Sequence, residues 1–105
     1  MGFANQQRMM KQMQKMQADM AKLQDEMGNM TVETTSGGGV VRCVMNCQME
    51  VQELEIDPEL LDPEEIDMLQ DLLIAAFNEA SRLASEKANA EMMKITGNVK
   101  IPGLT

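Results

Sequence analysis

Residues Asp62 to Met93, DPEEIDMLQDLLIAAFNEASRLASEKANAEMM, carry the longest uninterrupted helical signal in the chain. Asp62 can accept from the first free N–H groups, Pro63 stands where a missing N–H costs nothing, and Glu65 completes a capping box. No Gly or Pro follows before Gly97. The spacing predicts a helix over 62–93, about 46 Å long at 1.5 Å per residue. Its first half, Ile66 to Phe77, is apolar on more than one face and reads as core. Its second half keeps one stripe, Ala80, Leu83, Ala84, Ala88 and Met92, and reads as an arm.

Working outward toward the N-terminus, Pro58 and the Asp57 to Leu61 turn lead into that cap. Before them lie three strand-like runs, 30–36, 40–45 and 49–56. Ser36-Gly37-Gly38-Gly39 separates the first two. A strand rather than a helix follows it, so it reads as a hairpin turn and not a phosphate loop. Val41, Cys43 and Met45 share one face of the second strand. In the third, Val51, Leu54 and Ile56 break strict alternation, which predicts a bulge or two partly covered faces. The second strand is also semi-apolar on both faces, which predicts a helix on one side of the sheet and a partner on the other.

The first helix is predicted over 5–27. Met9, Met13, Met16, Met20, Leu23 and Met27 are spaced alternately four and three apart, a heptad-type seam. Packing of Met13, Met16, Met20 and Leu23 on the Ala80, Ala84 and Ala88 row is expected to hold the arm together. Arg8, Lys11, Lys15 and Lys22 fall on the side away from the seam. They read as a solvated outer face, as a cationic rail for a phosphate backbone, or as the upper face of a helix lying on an anionic membrane. The lack of Trp and of bulky aliphatic residues argues against the membrane.

The 105 residues carry a net charge of −8. Residues 1–22 hold four basic side chains against Asp19 alone, so the body carries −11 and the first helix a positive end. Thirteen Met and two Phe, with no Trp or Tyr, predict a soft core that completes itself by forming a homodimer. The chain contains no His, and two cysteines do not make a zinc site. No nucleophile–base set or nucleotide loop is present, which argues against an enzyme, a cofactor or a small-molecule substrate. Cys43 and Cys47 read as reduced structural thiols of a cytosolic protein. The carboxylates between Asp57 and Asp67 read as caps and dipole partners rather than metal ligands. Nothing approaches a transmembrane length. The tail, 95–105, reads as irregular.

The predicted architecture is thus α+β, in the order α-β-β-β-α: a projecting basic helix within 1–27, an antiparallel meander over 30–56 and the long helix, in two layers of one domain over 1–105. Several stretches in this order resemble the YbaB/EbfC family of bacterial nucleoid-associated proteins. They are Met9-Met10-Lys11-Gln12 with Lys15-Met16-Gln17, Ser36-Gly37-Gly38-Gly39-Val40-Val41, Ile56 to Glu64, Leu72 to Ala80, and Ile101-Pro102-Gly103-Leu104. The resemblance implies a tweezer-like cytosolic homodimer that binds DNA with low sequence selectivity, organises the nucleoid and affects gene expression. It implies helical arms that contact DNA, which here carry Arg8, Lys11, Lys15 and Lys22, together with Arg82, Lys87 and Lys94. The family usually has Gly where Cys47 stands, so the turn after Asn46 departs from its pattern. With no aromatic residue to stack single strands, duplex is the expected partner. The competing expectation is a protein adaptor that docks a partner helix on the methionine seam.

Overall fold

The computed structural model describes residues 2–97. Helix α1 spans Gly2–Met27, strands β1, β2 and β3 span Thr31–Ser36, Val41–Asn46 and Val51–Ile56, and helix α2 spans Ile66–Thr96. The strands form an antiparallel meander in the order β1-β2-β3. The molecule measures 74 × 26 × 16 Å, an elongated shape for so short a chain.

The hairpin between β1 and β2 turns on three consecutive glycines with φ of 62°, 75° and 100°, a backbone that side-chain-bearing residues rarely adopt. At Gly37 a Cβ would also meet Val40 Cγ2 at 2.8 Å and Leu72 Cδ1 at 2.9 Å, so the turn sits directly under α2. The predicted bulge is present on β3. Val44 pairs with Glu53 but Met45 pairs with Val51, which leaves Gln52 as the extra residue. That one residue restores the parity of Val51, Leu54 and Ile56, which oppose Met45, Cys43 and Val41 and share their face.

Helix α2 lies over β1 and β2. Val41, Cys43 and Met45 meet Leu60, Ala76, Ala80 and Ala84 in the buried core. Small residues on α2 let the helix approach the sheet closely, and the hydroxyls of β1 reach its backbone. Thr34 Oγ1 donates to the Ala76 carbonyl (2.9 Å) and Ser36 Oγ to that of Leu72 (2.7 Å). Ala76, Ala80 and Ala84 are therefore committed to the sheet, and this corrects the expected packing of Met13, Met16, Met20 and Leu23 on Ala80 and Ala84. Met13 is 60% exposed.

The second face of the sheet is not the apolar surface expected for a partner. Arg42 sits there with the carboxylates of Glu33, Glu53 (3.1 Å) and Glu55 (3.3 Å). The apolar surface left uncovered lies instead on the helix side, along β3, where Val51 and Leu54 are 46% and 42% exposed.

Element ends differ from expectation at several places, beginning with α1, which starts at Gly2 and not at residue 5. Asp62 caps as predicted, accepting from the Glu64 N–H at 3.0 Å, but it caps a 3-10 turn, Pro63–Glu65, and α2 begins after it. Glu65 stands at the junction and makes no cap bond, so the reciprocal half of the capping box does not form. Met49 has φ of 64° and belongs to the turn, so β3 starts at Val51 and not at Met49. Helix α2 continues through Thr96, beyond the predicted end at Met93 and into the stretch read as irregular tail. The rest of that tail, from Asn98, lies outside the described residues.

Candidate nucleic-acid interface

Helix α1 is anchored at one end only. Its last turn is fastened by the turn between β2 and β3. Asn46, 2% exposed, donates from Nδ2 to the Gly28 carbonyl (3.3 Å) and to Glu50 Oε1 (2.9 Å). Its Oδ1 accepts from the backbone N–H of Gln48 and of Glu50. Cys47 N–H reaches the carbonyls of Met27 and Met30, and Gln48 and Gln52 donate to those of Gln24 and Gly28. Sequence reasoning read Asn46 to Gln48 only as a turn. The signal available was an Asn followed by a short polar turn, the residue type that bonds its own backbone two residues on. Cys47 contributes to this clamp through its backbone N–H alone. Its thiol is buried, as is that of Cys43, and burial pushes both above the usual thiol range, with Lys87 opposing the shift at Cys47.

Beyond the clamp α2 runs alongside α1 in the opposite direction. Lys87 Nζ donates to the Thr31 carbonyl (2.8 Å), just past the end of α1. Further on, Glu91, Lys94 and Ile95 line a groove with Asp19, Lys22, Leu23 and Glu26. Met16, Met20, Leu23 and Met27 are thereby at least half-buried. The remaining half of α1, from Gly2 to Lys15, is exposed along its whole length. The methionine seam is thus divided. Its C-terminal half packs, and its N-terminal half, Met9 and Met13, faces solvent at 63% and 60% exposure.

The seven expected contact residues divide in the same way. Arg8, Lys11 and Lys15 lie exposed on the unsupported half and form no ion pair among the described residues. Lys22 is exposed and stands 4.0 Å from Glu26. Arg82 is held between Glu79 and Glu86, which raises its pKa and lowers that of Glu79. Lys94 pairs with Glu91 at 2.9 Å, and Lys87 is engaged with β1. The fold therefore brings Arg8, Lys11 and Lys15 together as available cations, and gives Arg82, Lys87 and Lys94 carboxylate or carbonyl partners of their own.

Two of the acidic residues expected to be structural behave so. Asp57 and Asp62 each accept from the N–H two residues on, at 3.0 Å. Among the described residues no cluster of side chains could hold a metal ion, and no helix is long and apolar enough to cross a membrane.

Comparisons with known proteins bear on the fold and the family. The crystal structure of an uncharacterised protein from Helicobacter pylori superposes with a TM-score of 0.74 over 92% of this chain and 99% of that one, at 24% identity, which establishes the shared fold. A nucleoid-associated protein of Pelotomaculum thermopropionicum is 55% identical over 101 residues, 96% of each chain. One of Moorella thermoacetica is 52% identical over 103 residues, covering 98% of this chain and 99% of the relative. The profile of the YbaB/EbfC DNA-binding family matches residues 1–99. With relatives of this identity along nearly its full length, and a fold and basic helix of the kind described, the chain belongs to the YbaB/EbfC family of nucleoid-associated, DNA-binding, non-enzymatic proteins.

Proposed function

We propose that the chain binds duplex DNA as a homodimer, with low sequence selectivity, through the free half of α1, and that it thereby organises and protects nucleoid DNA and affects gene expression. The observation that carries this reading is the position of Arg8, Lys11 and Lys15. They are exposed, have no carboxylate partner among the described residues, and sit at the end of an elongated molecule whose body is acidic. Contacts from such residues go to phosphates and hold position without reading sequence. The acidic body, repelled by the same phosphates, restricts contact to the arm.

Two observations support the homodimer. The strip along β3, Val51 and Leu54, is apolar and uncovered, as are Ile66 and Ile74 on α2. An isolated helix of about fourteen residues is marginal in water, so the free half of α1 gains from a partner. Two arms on one dimer would add through effective concentration.

The test is a mobility shift with unrelated duplexes at two salt concentrations. All are expected to bind, more weakly at higher salt. Reversing Arg8, Lys11 and Lys15 to Glu is expected to lower affinity by about 1–3 log units at moderate salt and to flatten the salt slope. Unchanged binding by the reversed protein would reject the assignment. The exposed Met9 and Met13 favour one other reading, an adaptor for a partner helix. Absence of any shift at low salt would turn to it.

A further inference from the structure

We propose that the C-terminal segment Val99 to Leu104 lies along the exposed half of the methionine seam of its own α1 and covers Met9 and Met13. Helix α2 already covers the other half. Ile95 lines the groove with Asp19 and Leu23, and Met16 and Met20 are half-buried. Past Met16 the seam continues with no cover among the described residues, and Met9 and Met13 are 63% and 60% exposed. The segment would extend an interface that α1 and α2 have begun.

The chain leaves α2 where the uncovered seam starts. Helix α2 ends at Thr96 and runs antiparallel to α1, so its axis points toward the N-terminal half of α1. Gly97 has φ of −65° and ψ of −18°, a helical backbone and not the left-handed cap that turns a chain aside. Met13 lies about 4.5 Å beyond Met16 along α1, and Met9 about 10.5 Å. Extended chain from Gly97 to Leu104 reaches up to about 23 Å. Ile101 and Leu104 can therefore both meet the seam.

The chemistry fits an apolar cover. Val99, Ile101, Pro102 and Leu104 are apolar, and Lys100 is the one charged side chain between them. A residue before proline favours extended backbone, which sets Val99 and Ile101 on one face and Lys100 on the other. Pro102 brings no N–H that an apolar surface would leave unpaired. Methionine is unbranched and adapts to such side chains. Arg8, Lys11 and Lys15 lie on the opposite side of α1, so the cover leaves them open. The apolar strip of Val51, Leu54, Ile66 and Ile74 lies elsewhere, so the segment does not compete with a homodimer for it.

The probe is dilute hydrogen peroxide, which passes one oxygen to an accessible thioether and leaves as water. Oxidation of each methionine is followed by mass spectrometry in the native full chain and in the same chain unfolded in urea. Met9 and Met13 are expected to oxidise at least about threefold more slowly in the native chain, despite their exposure on α1. In Ile101→Ser with Leu104→Ser the two rates are expected to become equal. Met45, 4% exposed, should stay protected in that variant, which reports that its core is intact. Native Met9 and Met13 that oxidise as fast as in urea would overturn the proposal. So would protection that survives the double substitution, because the seam would then be covered by something else, such as the arm of a second copy.

Discussion

The Thr34 hydroxyl, 42 residues from Ala76 in sequence, donates to the Ala76 carbonyl at 2.9 Å in a site where Thr34 is 5% exposed. The bond ties the first strand to the middle of α2, where the alanine row approaches the sheet. The carbonyl stands inside the helix, so the hydroxyl adds a second partner to an acceptor with two lone pairs.

Thr34→Val keeps the shape and removes only that donor. We expect a loss of about 1 kcal/mol in urea unfolding, with an unchanged denaturant slope. An unchanged midpoint would mean that the hydroxyl contributes nothing net and that closeness of the alanines alone sets the helix on the sheet.

Asn46→Ala should cost more, about 3 kcal/mol. It takes the acceptor from the part-buried N–H bonds of Gln48 and Glu50 and removes a tie to Gly28. Because these bonds anchor α1, the variant should lose DNA affinity while Arg8, Lys11 and Lys15 remain. Wild-type affinity in a destabilised Asn46→Ala protein would show that the arm does not need the clamp.

Among the cations, Lys15→Ala should reduce the salt slope by about 0.9 for each arm engaged and weaken binding severalfold. Arg82→Ala should leave the slope unchanged, because its guanidinium already pairs with Glu79 and Glu86. Equal effects of the two substitutions, read from titrations at several salt concentrations, would place the DNA across both helices instead of along α1.

The two thiols predict a pH dependence. Burial raises Cys43 and Cys47 above the ordinary thiol value of 9.0, so the folded chain favours the neutral form. Their contribution to stability is therefore full below pH 9 and is lost as pH rises through the higher folded values. The urea midpoint should fall between pH 8 and pH 10.5, and a Cys43→Ala, Cys47→Ala variant should show a smaller fall. Rapid reaction of both thiols with a disulfide reagent at pH 8 in the native protein would contradict their burial.

Much of this was legible in the chain. The glycine run with a strand after it read as a hairpin turn, and the skipped alternation between Val51 and Leu54 read as a bulge or two partly covered faces, which the register resolved as a bulge at Gln52. Both are local signals, set by backbone sterics and by the two-residue period of a strand. The heptad of methionines likewise marked α1 as a helix with an apolar side, and the cations away from it as a separate stripe.

Which of those surfaces is covered is a tertiary matter. Periodicity says that Met13 and Leu23 share a face. It does not say that α2 runs beside Leu23 and leaves Met13 in solvent, because that depends on where the sheet seats α2 along its length. The same placement committed Ala76, Ala80 and Ala84 to the sheet and brought Lys87 to the Thr31 carbonyl. The sequence by itself determined the elements, their order and the stripe of Arg8, Lys11 and Lys15. The pairs of Arg82 and Lys94 are likewise local, three or four residues apart on α2. Only the tertiary structure decided that Lys87 is held at the Thr31 carbonyl and that the first half of α1 stands clear of α2, since both depend on segments brought together from distant parts of the chain.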